Sequence, residues 1–338
     1  MYVAASHAAL EAARRWMAER LAELEALGEQ PLTPQIQASL IASVLDGWTG
    51  PQRRLAMAWR YAPDAGWQAA WDGFWAQVAA RLGLGEHADA LACFAAGEAA
   101  RHLLVWNPPL ERALLEETAL SLTRWLRERR YARDEVRPLY RTLADRGYEA
   151  PEPAPDAATA TIAEAAAALL AESGHAGVTF RAVAARAGVT LGKVVHVQGS
   201  KSALLHAALH ALYEREALGG DLEWFVSQQL PPEVVLAELL AAVLRGDQPV
   251  LAAYDEIERA IYNGGEYAGL RAMVRAMDDP SGTWALRQML GGIETPASLV
   301  AVFSAIIRGI GYRARHSGSA ERDLEAGARA ALRPFVAG

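Results

Sequence analysis

The sequence predicts an all-α fold, and three observations carry that prediction. Nearly every long segment repeats apolar residues at helical spacing, β-branched alternation over five or more positions is scarce, and alanine supplies much of the 52% apolar content. Such a mixture suits closely packed helices and argues against disorder. With 338 residues the chain is long enough for two domains of ordinary size, each with its own core.

The first region, residues 1–135, reads as successive amphipathic helices. Trp67, Trp71 and Trp75 recur every four residues as one aromatic stripe, and eight of the ten tryptophans precede residue 126. Two readings stand: a pocket for a small apolar or aromatic ligand, or ordinary core and pairing surface. Tyr254, Tyr262 and Trp284 invite the same two readings. The charged run RERRYARD, 127–134, reads as a solvated helix end. Within residues 136–158, the stretch EAPEPAPDAA carries prolines at alternate positions, which no helix tolerates, so this segment is assigned as a linker.

Residues 159–213 read as four short helices. Ile162, Ala166, Leu169 and Leu170 line the first, which stops at Ser173-Gly174. Thr179 is placed to cap a second helix with Phe180, Val183, Ala184 and Ala187 on its apolar face. Gly188 supplies a turn, Thr190 caps a third helix, Gly199 ends it and Ser200 caps a fourth, buried through Leu204, Leu205, Ala208, Leu209 and Leu212. Two helices of seven or eight residues joined through a glycine turn describe a helix-turn-helix, at about 178–197. Such a unit offers its second helix to the DNA major groove and its helix N-termini to phosphates. The chain's two lysines, Lys193 and Lys201, both fall here, among 33 basic residues in all. Residues 159–204 thus make up the helix-turn-helix domain, and residues 205–338 continue as a further helical domain.

The two sides of the linker resemble each other. VHVQGSKSAL at 195–204 overlies MYVAASHAAL at the start with a displacement of 194, placing Ser200 on Ser6 and Leu204 on Leu10. VLDGW at 44–48 is similar to VLRGD at 243–247, ADALACF at 88–94 to ASLVAVF at 297–303, and PLERALLEETALSL near 115 to SAERDLEAGARAAL near 325. The chain thus reads as a tandem whose first copy lacks its front.

Charge and motifs narrow the function. A net charge of −7 excludes a protein coated in basic surface, while residues 156–201 hold four Lys or Arg against three Asp or Glu, a local patch only. The single cysteine, Cys93, excludes an internal disulfide framework and reads as a small buried hydrophobe in a reducing cytoplasm. Charged residues interrupt every apolar run before the roughly 18 to 20 residues a bilayer requires, and the start lacks the order of a signal peptide. The expectation is a soluble, cytoplasmic protein without membrane contact. G-x-S-x-G, P-loop, dinucleotide and H-E-x-x-H motifs are missing, so an enzyme is not expected. His206 and His210, four apart, have no third ligand nearby, and neither metal nor cofactor is assigned.

The stretch TIAEAAAALLAESGHAGVTFRAVAARAGVTLGKVVHVQGSKSALLHAAL resembles the DNA-binding segment of the TetR family of bacterial regulators, without a gap. The resemblance implies a transcriptional regulator, a repressor that binds a double-stranded DNA operator and responds to a small ligand. It implies contacts from Thr179, Arg181, Thr190, Leu191, Gly192, Lys193, Val195, His196, Ser200 and Lys201, with Lys201 on the DNA backbone. It also implies that each flanking helical region is a ligand-binding and dimerisation domain. The family usually has a polar or basic residue where Leu191 stands, a tyrosine where Val195 stands and an aromatic where Gln198 stands. Family members pair as homodimers on palindromic sites. Here the two copies form that pairing internally, as a pseudo-dimer with one reading head, or two chains associate, or a first helix-turn-helix lies upstream. The rival function is a helical sensor or interaction module with a vestigial helix-turn-helix.

Overall fold

The computed structural model describes residues 2–28, 30–61, 65–104, 107–146, 156–217, 230–244, 255–261, 270–277, 283–293, 295–316 and 321–336. The fold is all-α, with no strand among the described residues. In chain order the helices are α1 (Tyr2–Glu25), α2 (Pro34–Thr49), α3 (Arg53–Tyr61), α4 (Ala65–Arg81), α5 (Ala88–Arg101), α6 (Pro108–Glu128), α7 (Arg137–Arg146) and α8 (Ala157–Gly177). There follow α9 (Phe180–Ala187), α10 (Leu191–Gln198), α11 (Lys201–Ala217), α12 (Pro232–Leu244), α13 (Leu270–Met277), α14 (Thr283–Met289), α15 (Ala297–His316) and α16 (Glu321–Leu332). A further helical stretch spans 255–261. Of the proline-rich segment, 149–155 lies outside the described residues.

The helices form two compact units interleaved along the chain: Met1–Tyr140 with Leu230–Gly246 and Pro280–Gly338, and Arg141–Gln229 with Asp247–Asp279. In the first unit, α12, α14, α15 and α16 from the second half of the chain join helices from the first half. Its centre is the crossing of α5 and α15. Glycine inside a helix costs about 1 kcal/mol relative to alanine, and both helices carry one at the crossing. A Cβ at Gly97 would stand against the Ala305 carbonyl, 2.7 Å from its carbon, and one at Gly309 against the Cys93 carbonyl, 2.6 Å from its carbon. The glycines thus let two backbones touch.

That approach is reciprocal: Gly97 meets Ala305 as Gly309 meets Cys93. The neighbours repeat the relation, since α6 packs on α15 and α16 packs on α5. The crossing equates Cys93 with Ala305 and Gly97 with Gly309 at a displacement of 212, three residues from the register of ADALACF over ASLVAVF. The sequence match follows small apolar identities; the structural register follows the two glycines.

Polar groups fasten the same region. Asp134 accepts hydrogen bonds from the amides of Ala297, at 2.8 Å, and Ser298, at 2.9 Å, and so caps α15 from 163 residues away. Trp125 stacks on Phe335 and donates from Nε1 to the Pro334 carbonyl at 2.9 Å. At the end of α5, Glu98 and Arg101, with His102 just beyond the helix, form a buried polar cluster with Glu111: His102 Nε2 lies 3.1 Å and Arg101 Nε 3.4 Å from Glu98 Oε2. Burial alone would raise the Glu98 pKa, but Arg101, His102 and Arg137 override it and hold the carboxyl at about 2.

The tryptophan stripe is core. Trp67, Trp71 and Trp75 are at most 1% exposed; Trp71 stacks on Trp59 at 4.4 Å between centroids and touches Trp48 and Trp75, while Tyr312 of α15 closes on Trp59 at 4.6 Å. Cys93 is fully buried, and burial pushes its thiol up to about 11. One expectation is corrected. The segment Ala297–Arg315 of α15 reaches, by length and composition, what a membrane crossing requires, with mean hydropathy 1.3. It does so despite Arg308, Arg313 and Arg315, because Ile, Leu, Val and Phe outweigh them. Of that segment 67% is buried inside the protein, as in the core helix of a packed domain.

Candidate nucleic-acid interface

The second unit contains α8 to α11, whose beginnings are fixed by side chains that accept a backbone N–H three residues on. Asp156 accepts from Thr159 at 2.7 Å, Thr179 from Ala182 at 3.1 Å, Thr190 from Lys193 at 3.2 Å and Ser200 from Ala203 at 3.1 Å. The ends are fixed by glycine: Gly188, at φ 64°, closes α9 in the left-handed region and turns the chain into α10. The first helix departs from the expected stop. Gly174 leaves helical geometry, at φ 66° and ψ −175°, yet one further turn runs to Gly177.

The bundle's centre is small and apolar. Ile162, Ala166, Val183, Val194, Leu204, Leu205, Ala208, Leu209 and Leu212 are fully buried, and α8 packs along α11 while α9 bridges α8 and α10. Phe180, Ala187 and Leu169, expected inside, are half-buried. Polar contacts tie the outside: Arg186 pairs with Glu172 at 2.8 Å, and His175 Nδ1, beside the kink, lies within hydrogen-bond distance of Glu256 of the stretch 255–261, at 2.8 Å.

The ten residues implied by the family resemblance share a consistent placement. Thr179 and Arg181 open α9, Thr190 to His196 form the cap and first turns of α10, and Ser200 and Lys201 open α11. Thr179, Arg181, Thr190, Leu191, Gly192, Val195, His196 and Ser200 are exposed; Lys193 and Lys201 are half-buried. Lys193 Nζ lies 3.5 Å from the Asp156 carboxylate, which places the recognition helix beside the start of α8. Hydrogen bonds from Thr159 are the main reason Asp156 sits below the usual carboxylate range, with Lys193 adding to it. Sequence reasoning missed Asp156, although an aspartate directly before an alanine-rich helical run is a capping signal.

The tryptophan side of the expected ligand site lies in the first unit, as core. Tyr254 and Tyr262 fall outside the described residues, and Trp284 belongs to α14 with its side chain outside them too. No cluster of three or more His, Cys, Asp or Glu among the described residues is arranged to hold a metal.

Exposed caps, a tight glycine turn and a short second helix lying on a three-helix support form a surface that can dock in a DNA groove, with amides and cations toward phosphates. The chain matches no curated protein and no solved structure. Residues 162–208, the segment from α8 into α11, match the model of the family described as bacterial regulatory proteins, tetR family.

Proposed function

We propose that the protein is a ligand-responsive transcriptional repressor of the cytoplasm that reads operator DNA through α10, and that it is a tandem in which two dimerisation-type halves pair within one chain. The observation that carries the first part is the intact capped helix-turn-helix with all ten expected DNA-facing residues exposed or half-buried. The reciprocal Gly97–Ala305 and Gly309–Cys93 approach supports the second: a self-complementary interface is what pairing of two like copies produces. On this reading one chain carries one reading head and recognises half of a palindromic site, or two chains join to supply two.

The ligand is assigned to the tryptophan cluster. The indole N–H groups of Trp48, Trp59 and Trp75 are buried without a protein acceptor in this packed cluster, so an aromatic molecule that opens it would meet unused donors. Its entry would spread α3, α4 and α15, which meet through Trp59, Trp71 and Tyr312.

Selection of duplexes from a random pool by the full chain, followed by footprinting, tests the function. One enriched motif, protected over a half-site per chain, is expected. Failure to enrich any sequence would favour the rival, a helical sensor that no longer binds DNA.

A further inference from the structure

The recognition helix carries an apolar surface that its own folding does not require. Val194 is fully buried and Val197 and Gln198 are half-buried, which with the Thr190 cap is what pins α10 to its support. The opposite face consists of Leu191, Gly192, Val195 and His196, all exposed. Leu191 and Val195, one turn apart, each leave 45% of their surface open; they are two of the eight large hydrophobics that the described residues expose, and both sit on this eight-residue helix. Between them Gly192 has open space where a Cβ would stand.

The surroundings decide what this face fits. Lys193 lies on α10 itself, with Asp156 as its acidic neighbour, while Arg181 stands in the first turn of α9 and Lys201 at the start of α11, the two helices packed against α10, so the basic side chains of the unit favour a polyanion. The N-termini of α9, α10 and α11 add backbone N–H groups. An apolar surface with cations on its own and the neighbouring helices complements the major groove, where phosphates line the edge and the thymine C5-methyl is the apolar feature of the floor.

The geometry points to Leu191 and Val195 as specificity-determining residues that read thymine methyl groups by van der Waals contact, with Gly192 admitting the helix backbone close to the base edges. This rests on the reading of α10 as a DNA-recognition helix. It assigns specificity to shape and methyl contact at the two positions where the family's polar residues are missing.

The test uses the full chain and the duplex it enriches from a random pool. Each thymine is replaced in turn by deoxyuridine, which removes the methyl and leaves the base pair intact. Wild type is expected to bind about fourfold more weakly for each contacted methyl removed, at one or two neighbouring positions. Leu191→Ala and Val195→Ala are each expected to lose the thymine preference at one position, and the double variant to bind thymine and uracil duplexes alike, while all keep their salt dependence; both sites are exposed and alanine favours helix, so the bundle is retained. Wild type that prefers its site yet ignores every methyl overturns the inference and leaves DNA reading intact. Absence of any preferred duplex, with binding equal to random DNA across a salt series, overturns both the inference and the reading of α10 on which it rests.

Discussion

Replacing Gly97 by alanine perturbs the crossing on which the first unit is built. In an ordinary helix this change stabilises by about 1 kcal/mol. Here the new Cβ falls against the Ala305 carbonyl oxygen, 2.7 Å from its carbon and 2.9 Å from its Cα, all backbone atoms that no rotamer change can move. α5 and α15 must part, and overpacking of this kind costs about 1 to 3 kcal/mol. Their parting also loosens the packing around Phe94, Phe303 and Ile306, all within 1% of full burial. Set against the helix gain, we expect a net loss of about 1 to 2 kcal/mol, or roughly 2 to 8 °C in Tm for a unit of this size. Gly309→Ala should cost the same, because it meets Cys93 in the same way. One outward shift relieves both clashes, so the double variant should cost less than the sum. Urea unfolding followed by tryptophan fluorescence reads all three, since most tryptophans lie in this unit. Either single variant within 0.5 kcal/mol of wild type, or more stable, would refute the crossing; strict additivity would refute the shared shift.

Acid should weaken the same unit through Glu98. Its folded pKa of about 2 lies below the ordinary 4.5, so its contribution is complete above pH 4.5 and is lost as pH falls toward 2. The loss is on the order of 3 kcal/mol, and Glu98→Gln should flatten the acid limb of a urea-midpoint profile between pH 7 and 3. Cys93, buried and with its thiol pushed up to about 11, should resist a thiol reagent at pH 8 until urea unfolds the unit; labelling in native buffer at the unfolded rate would contradict that burial. Thr179→Ala and Thr190→Ala each remove one cap and should each destabilise the second unit by about 1 kcal/mol, measured by circular dichroism.

The helix-turn-helix is legible in the sequence because its signals are local. Thr179, Thr190 and Ser200 each act three residues away, and Gly188 acts where it stands. The α5–α15 register is not legible in that way: Gly97 and Gly309 gain their reason only from partners more than 200 residues distant. The spacing of Trp67, Trp71 and Trp75 reveals a helix face, but what faces it, Trp59 and Tyr312 above all, comes from other segments. The Glu98–Arg101–His102 cluster did leave a trace, as polar residues at helical spacing on an otherwise alanine-rich helix, yet its partners Glu111 and Arg137 are set by tertiary packing.

The most direct measurement is fluorescence anisotropy of the full chain with its enriched duplex and with random duplex across a salt series, for wild type and for Lys193→Ala/Lys201→Ala. The account predicts tighter, salt-sensitive binding to the enriched duplex, with a salt slope in the double variant that is shallower by about one unit for each phosphate no longer neutralised. Equal affinity for both duplexes, unchanged by the substitutions, would contradict it.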